Sequence, residues 1–253
     1  MADSPTPVLV SWSSGKDSTL ALERVLADPR VRVTGLLTTV SPQYDRVSIH
    51  GVRRSIVRRQ AELLGLPLAE VELPPSPSNA SYEAAFAAAL ARLREAGPDL
   101  ETVAFGDLFL EEVRDYRERL LARLGWTGSY PLWGEPTAEL AGHFIDRGYR
   151  AVLTCVDTTQ LDASFAGREF DRELLRDLPA GVDPCGERGE FHTCAYAGPL
   201  FREPIPVRRG ERVLREGRFQ YCDVVPLLGG EAGGIQCADD TLSNPSPPTG
   251  PSP

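Results

Sequence analysis

Apolar and polar positions in the first half of the chain follow two alternating periods. Val8-Leu9-Val10-Ser11-Trp12 is a short apolar run consistent with a buried strand, and Leu20, Leu22, Val25 and Leu26 then recur at near-helical spacing. Strand, loop and helix therefore open the chain. Residues 31–40 are rich in β-branched side chains, 52–64 read as a helix stopped by Gly65, and 68–73 read as another strand. A helix over 81–95, a strand over 102–106 and a helix over 109–124 ended by Gly125 extend the pattern. Strands separated by helices need crossover connections, so the expected class is α/β: a Rossmann-like, mostly parallel sheet with helices on both faces.

The character changes after Gly125. Residues 126–134 are aromatic and turn-rich, Thr137 is placed to cap a short helix running to Arg147, and 151–156 read as a buried strand. From 179 to 228 the segments are short and β-like, with a hairpin turn expected within 207–213. The expected organisation is a nucleotide-binding domain over 1–128, a smaller mixed α+β domain over 129–228, and a disordered tail over 229–253. That tail is rich in Gly, Ser, Pro and Thr, which bury too little apolar surface to order a chain.

Composition narrows the function. No apolar run approaches the roughly 20 residues that a membrane helix needs, and the first residues carry no basic and apolar leader, so the expected location is the cytoplasm. Cys155, Cys185, Cys194, Cys222 and Cys237 form an odd set without a Cys-x-x-Cys pair, which fits buried free thiols better than disulfides or zinc. A net charge of -9 argues against a long nucleic-acid footprint. Small substrates or a protein partner fit better, and a homodimer is left open. Lys16 is the sole lysine in a chain that otherwise uses arginine, which marks a place where a compact ammonium is needed.

Ser13-Ser14-Gly15-Lys16-Asp17-Ser18 sits between the first strand and the first helix, where backbone N–H groups and the helix dipole converge on an anion. Gly15 permits a tight turn, the serines add hydroxyl donors, Lys16 adds charge and Asp17 can hold a hydrated Mg²⁺. The spacing does not fit Gly-x-x-x-x-Gly-Lys-Ser/Thr. It resembles instead the Ser-Gly-Gly-x-Asp-Ser signature of the PP-loop ATP pyrophosphatases, with Ser14 in place of a glycine. That resemblance implies adenylation of an oxygen substrate by ATP with Mg²⁺. The nucleotide-binding set it implies is Ser11, Ser13, Ser14, Gly15, Lys16, Asp17, Ser18, Thr38, Gly106 and Asp107, with Asp17 and Asp107 as metal candidates.

Downstream, Cys185-Gly186-Glu187-Arg188-Gly189-Glu190-Phe191-His192-Thr193 follows Asp157-Thr158-Thr159-Gln160 and residues 179–184. Together these are similar to the diphthine-ammonia ligase family of PP-loop proteins. The stretches 106–114 and 131–134 look like a bacterial branch of it. Because diphthine is made on elongation factor 2 of archaea and eukaryotes, a bacterial relative is expected to act on another carboxylate. The resemblance implies that ATP activates a carboxylate, pyrophosphate leaves, and ammonia attacks to give an amide.

Expected catalytic residues are Lys16, Glu187, Glu190 and His192. Two carboxylates and an imidazole between glycines suit a loop lining a cavity that handles ammonia or the acceptor carboxylate. His50 and Arg53, after the second strand, are expected to touch substrate or phosphate. Each has a bland alternative: Asp107 as a helix cap, the 187–192 loop as a solvated turn, Arg54, Arg58 and Arg59 as a solvated face. Two other functions stay open, a PP-loop tRNA-modifying enzyme and a nucleotide-binding module without turnover.

Overall fold

The computed structural model describes residues 4–97 and 99–227. Strands β1 (Thr6–Ser11), β2 (Val31–Ser41), β4 (Leu68–Glu72), β5 (Thr102–Ala104) and β6 (Thr127–Ser129) pair in parallel in the order β4-β2-β1-β5-β6. β3 (Arg46–Val47) pairs antiparallel with the end of β2. Helices α1 (Lys16–Ala27), α2 (Arg54–Leu64), α3 (Asn79–Ala96) and α4 (Glu111–Arg123) make the crossovers. The expected α/β class with a mostly parallel sheet is what forms.

Two-residue alternation along these strands sorts the side chains onto two faces. Leu9, Leu37 and Val103 join Phe86, Leu90 and Leu120 of α3 and α4 in one buried cluster. Val8, Val10, Leu36 and Ala104 face the other way, into a cluster shared with α1, α2 and a second sheet. That sheet is antiparallel, in the order β8 (Phe191–Ala197), β7 (Arg150–Asp157), β10 (Phe219–Pro226), β9 (Val207–Arg215). Helices α5 (Thr137–Asp146) and α6 (Arg172–Asp177) flank it in sequence. Val152, Phe191 and Cys194 lie in the same cluster as Val10, so the two sheets share one core.

Two local readings are corrected. The hairpin turn is not within 207–213: β9 runs through it, and the chain reverses over Glu216–Arg218, where Glu216 and Gly217 take positive φ (53° and 63°) and Arg218 N–H donates to the Arg215 carbonyl at 3.0 Å. Gly210 instead serves close strand packing, since a Cβ there would lie 2.9 Å from Val225. Thr137 does not cap α5, whose cap position is Pro136; its hydroxyl donates to Asp183 Oδ2 at 2.7 Å. The stretch 126–134, read as aromatic and turn-rich, holds the short edge strand β6 followed by a turn over 131–134. Gly65 ends α2 in the left-handed conformation (φ 69°), as read from sequence. Four cysteines are buried free thiols; Cys237 and the tail expected over 229–253 lie outside the described residues.

Gly106 closes the sheet onto the first loop. A Cβ there would lie 2.8 Å from the Asp17 carbonyl carbon and 2.9 Å from its oxygen, backbone atoms with no room to yield. Gly106→Ala is expected to lower stability by about 1–3 kcal/mol, the usual effect of overpacking, measured as a shift of the urea midpoint.

Candidate active site

β1 delivers the chain to Ser13–Ser18, and α1 begins at Lys16. Ser14 takes φ 77°, the left-handed region that glycine favours, so the serine standing at a glycine position of the signature adopts a backbone conformation open to glycine. Its carbonyl accepts from Ala195 N–H at 2.8 Å and from Gln60 Nε2 at 3.2 Å. Gln60 is fully buried; its Oε1 accepts from Trp12 Nε1 at 2.9 Å, and Nε2 also donates to the Ala195 carbonyl at 2.6 Å.

Within the loop, Ser13 Oγ accepts from Gly15 N–H (3.3 Å) and donates to Ser18 Oγ (3.2 Å). Lys16 N–H donates to Thr193 Oγ1 of β8 at 3.1 Å, so the first helical N–H is met from the second sheet. Gly15 is forced by this approach, because a Cβ would stand 3.0 Å from the Thr193 carbonyl. The Lys16 side chain is 2% exposed. Its ammonium donates to Asp17 Oδ2 at 2.8 Å and to the Cys185 carbonyl, with the rings of Phe170 and Phe191 at 5.5 and 5.4 Å. Burial works to discharge it, but Asp17, with Cys185 and Glu187, more than offsets that and holds its pKa above the ordinary lysine value.

Glu187 comes from the loop before β8 and reaches across to the other sheet, where its Oε1 accepts from Leu108 N–H at 2.7 Å. Burial pushes its carboxyl up to about 7 against the pull of that amide, and Asp17 and Asp107 add to the rise. Glu190 is buried differently. Its Oε1 accepts from Asp183 N–H at 2.9 Å, which folds residues 183–190 back on themselves, so its observed work is holding the loop. His192 and His50 lie ring to ring at 4.4 Å between centroids. Burial, then the Lys16 charge, lowers His192 to about 4; burial, then His192 and Lys16, lowers His50 well below its ordinary value. Both imidazoles are neutral at pH 7.

The other sequence candidates divide. Thr38 on β2 is 2% exposed, and its Oγ1, like Asp17 Oδ1 and His50 Nδ1, is buried without a hydrogen-bond partner. Ser11 ends β1 beside Leu37. Asp107 neither caps α4, whose cap is Leu110, nor stands free: it is paired with Arg117 at 2.8 Å. Arg53 is held by Asp223 of β10 at 2.5 Å, with Arg46 on the same carboxylate at 2.8 Å, which ties the guanidinium expected to meet substrate into an ion pair. Sequence reading missed Gln60, Thr193 and Cys185 as partners of the loop. For Gln60 a signal existed, an amide on the buried stripe Ile56, Val57, Gln60, Ala61, Leu63. No group of three or more His, Cys, Asp or Glu suited to a metal occurs among the described residues, and no described helix is long and apolar enough to cross a membrane.

The fold and site thus define an α/β protein whose first strand–loop–helix turn, rich in serine and glycine, is closed by a second, antiparallel sheet carrying the Glu187 loop. Two family models match it in that order, the diphthamide synthase N-terminal domain over residues 6–127 and the diphthamide synthase C-terminal domain over residues 136–224. The chain belongs to this diphthamide synthase, or diphthine–ammonia ligase, family. A relative from Schizosaccharomyces pombe, the diphthine–ammonia ligase, is 28% identical over 129 residues, which covers 49% of this chain and 21% of that protein.

The imidazole pair makes stability depend on pH. A histidine whose folded pKa is depressed leaves the unfolded chain binding more protons between about 4 and 6.5, so stability rises with pH through that window and is lost on acidification. Glu187, raised to about 7, works in the opposite sense, binding its proton more tightly when folded. His192→Gln is therefore expected to lose less stability than the parent chain between pH 6.5 and 4, measured by urea midpoints at each pH.

Proposed function

We propose that the chain is an ATP-dependent, amide-forming ligase that activates a carboxylate, free or protein-borne, and couples it to ammonia. The observation that carries this reading is the direct contact between Ser14–Lys16 and the Cys185–Ala195 segment, which would bring a nucleotide's phosphates and the acid–base groups into one site. A carboxylate oxygen attacks the α-phosphorus, the bond to the β-phosphate oxygen breaks and pyrophosphate leaves. Ammonia then attacks the activated acyl carbon, AMP departs, and one proton passes to a base.

The residues suit the nucleotide. The N-terminus of α1, the Gly15 amide and the Ser13 hydroxyl would meet phosphate oxygens, and Lys16 would supply the charge. Thr38 Oγ1 and His50 Nδ1 are buried polar atoms still in need of partners, which a bound nucleotide or acceptor would supply. Asp17 retains one unpartnered oxygen and would hold Mg²⁺, which neutralises developing phosphate charge when bound. Asp107 suits a metal less well, because it would first have to leave Arg117. Glu187, near 7, is matched to taking a proton from the attacking nitrogen at neutral pH, and His192, neutral there, would offer a hydrogen bond to the acceptor. Glu190 organises the loop.

With ATP, Mg²⁺, ammonium and a panel of carboxylic acids, chromatography is expected to find AMP and pyrophosphate accumulating. ADP and phosphate would contradict attack at the α-phosphorus, and one equivalent of ATP retained without turnover would identify a binding module instead. Lys16→Ala is expected to reduce AMP formation by at least a hundredfold, the order of effect of removing a charge-stabilising donor.

A further inference from the structure

We propose that Gln60 is a positioning residue for the phosphate loop, fixing the orientation of the Ser14–Gly15 peptide so that the Gly15 N–H faces the anion; this rests on the nucleotide reading above. A trans peptide is planar, and its C=O and N–H point to opposite sides. Whatever pins the Ser14 carbonyl therefore aims the Gly15 amide. The carbonyl is pinned on its inner side by two donors, the Ala195 amide at 2.8 Å and Gln60 Nε2 at 3.2 Å. The Gly15 N–H then points the other way, toward Ser13 Oγ at the head of α1.

The side-chain amide has only one orientation that fits. Trp12 Nε1 is a donor with no acceptor capacity, so the Gln60 atom facing it at 2.9 Å is the oxygen. That leaves Nε2 between two acceptors, the carbonyls of Ser14 and Ala195, and both of its hydrogens are used. The arrangement holds Ser14 at φ 77° against a side chain's preference for negative φ. If the peptide flipped, a carbonyl oxygen would replace the N–H donor and repel phosphate. Gln60 touches the phosphate loop only at the Ser14 carbonyl, on the side away from the Gly15 N–H. It acts through the backbone, and it couples that backbone to β8.

The test is isothermal calorimetry with Mg·ATP and, separately, adenosine, on the full chain and on Gln60→Leu and Gln60→Glu. Gln60→Leu removes the donor, whereas Gln60→Glu keeps the bond to Trp12 and replaces Nε2 by an oxygen. Both variants are expected to bind Mg·ATP at least tenfold more weakly, with adenosine affinity within twofold of the parent. Unchanged ATP affinity in a folded variant, or an equal loss for ATP and adenosine, overturns the proposal, because a merely structural residue moves both ligands together. A parent chain that fails to bind ATP overturns both this inference and the function it rests on. Should the variants not fold, the parent protein decides the matter in a pyrophosphate titration followed by ¹⁵N-resolved spectra. A Gly15 amide among the most shifted supports the proposal, and one that stays still while neighbours move overturns it.

Discussion

The carbonyl of Ser14 accepts from the backbone of β8 and from a buried glutamine, and most of what is distinctive in this molecule depends on that junction. It joins the first loop of a parallel sheet to the edge strand β8 of an antiparallel one, across a separation in sequence that only tertiary folding can close. Thr193 caps α1 from the same strand, and Ala195 supplies both the donor to Ser14 and an acceptor for Gln60. Buried polar groups of this kind are costly unless every partner is present, so the arrangement specifies one relative placement of loop and strand. The apolar contacts beneath it are less selective, but they are continuous from Val10 to Phe191 and keep water out.

Exclusion of water explains the site's electrostatics. An isolated ammonium 2% exposed would lose its charge, yet Asp17, a peptide carbonyl and two aromatic faces keep the Lys16 ammonium charged. The same desolvation acts on its neighbours in the direction their charge dictates, raising Glu187 toward neutrality and keeping the two imidazoles unprotonated. Glu187 thereby sits near the point of proton exchange at neutral pH, beside a retained ammonium and two imidazoles that stay neutral. Arg53 stands outside this group, tied to Asp223, while Asp107 acts on Glu187 through its charge but is itself paired with Arg117.

Much of the frame is legible in the residues. The alternation of apolar periods fixes the order of β1, α1, β2, α2, β4, α3, β5 and α4, because burying one stripe of a helix or both faces of a parallel strand leaves a periodic trace. Gly65 ends α2 where it is read to. The second half is less transparent. β6 is three residues long, and the hairpin lies at Glu216-Gly217 because Gly210 is taken by close packing against Val225, a contact invisible from local sequence.

The chain's own order of residues determined the serine–glycine loop at the head of a helix, the solitary lysine within it, and the paired glutamates and histidine far downstream. Those features are local, carried by residue type and spacing. Tertiary structure alone decided which of them meet. It set Glu187 against the Leu108 amide and left Glu190 to fold its own loop; it paired His50 with His192, and it made Gln60 and Thr193 partners of the loop. These contacts join residues whose identity is ordinary and whose role arises from position, since a hydrogen bond depends on distance and direction that no pattern along a single chain encodes.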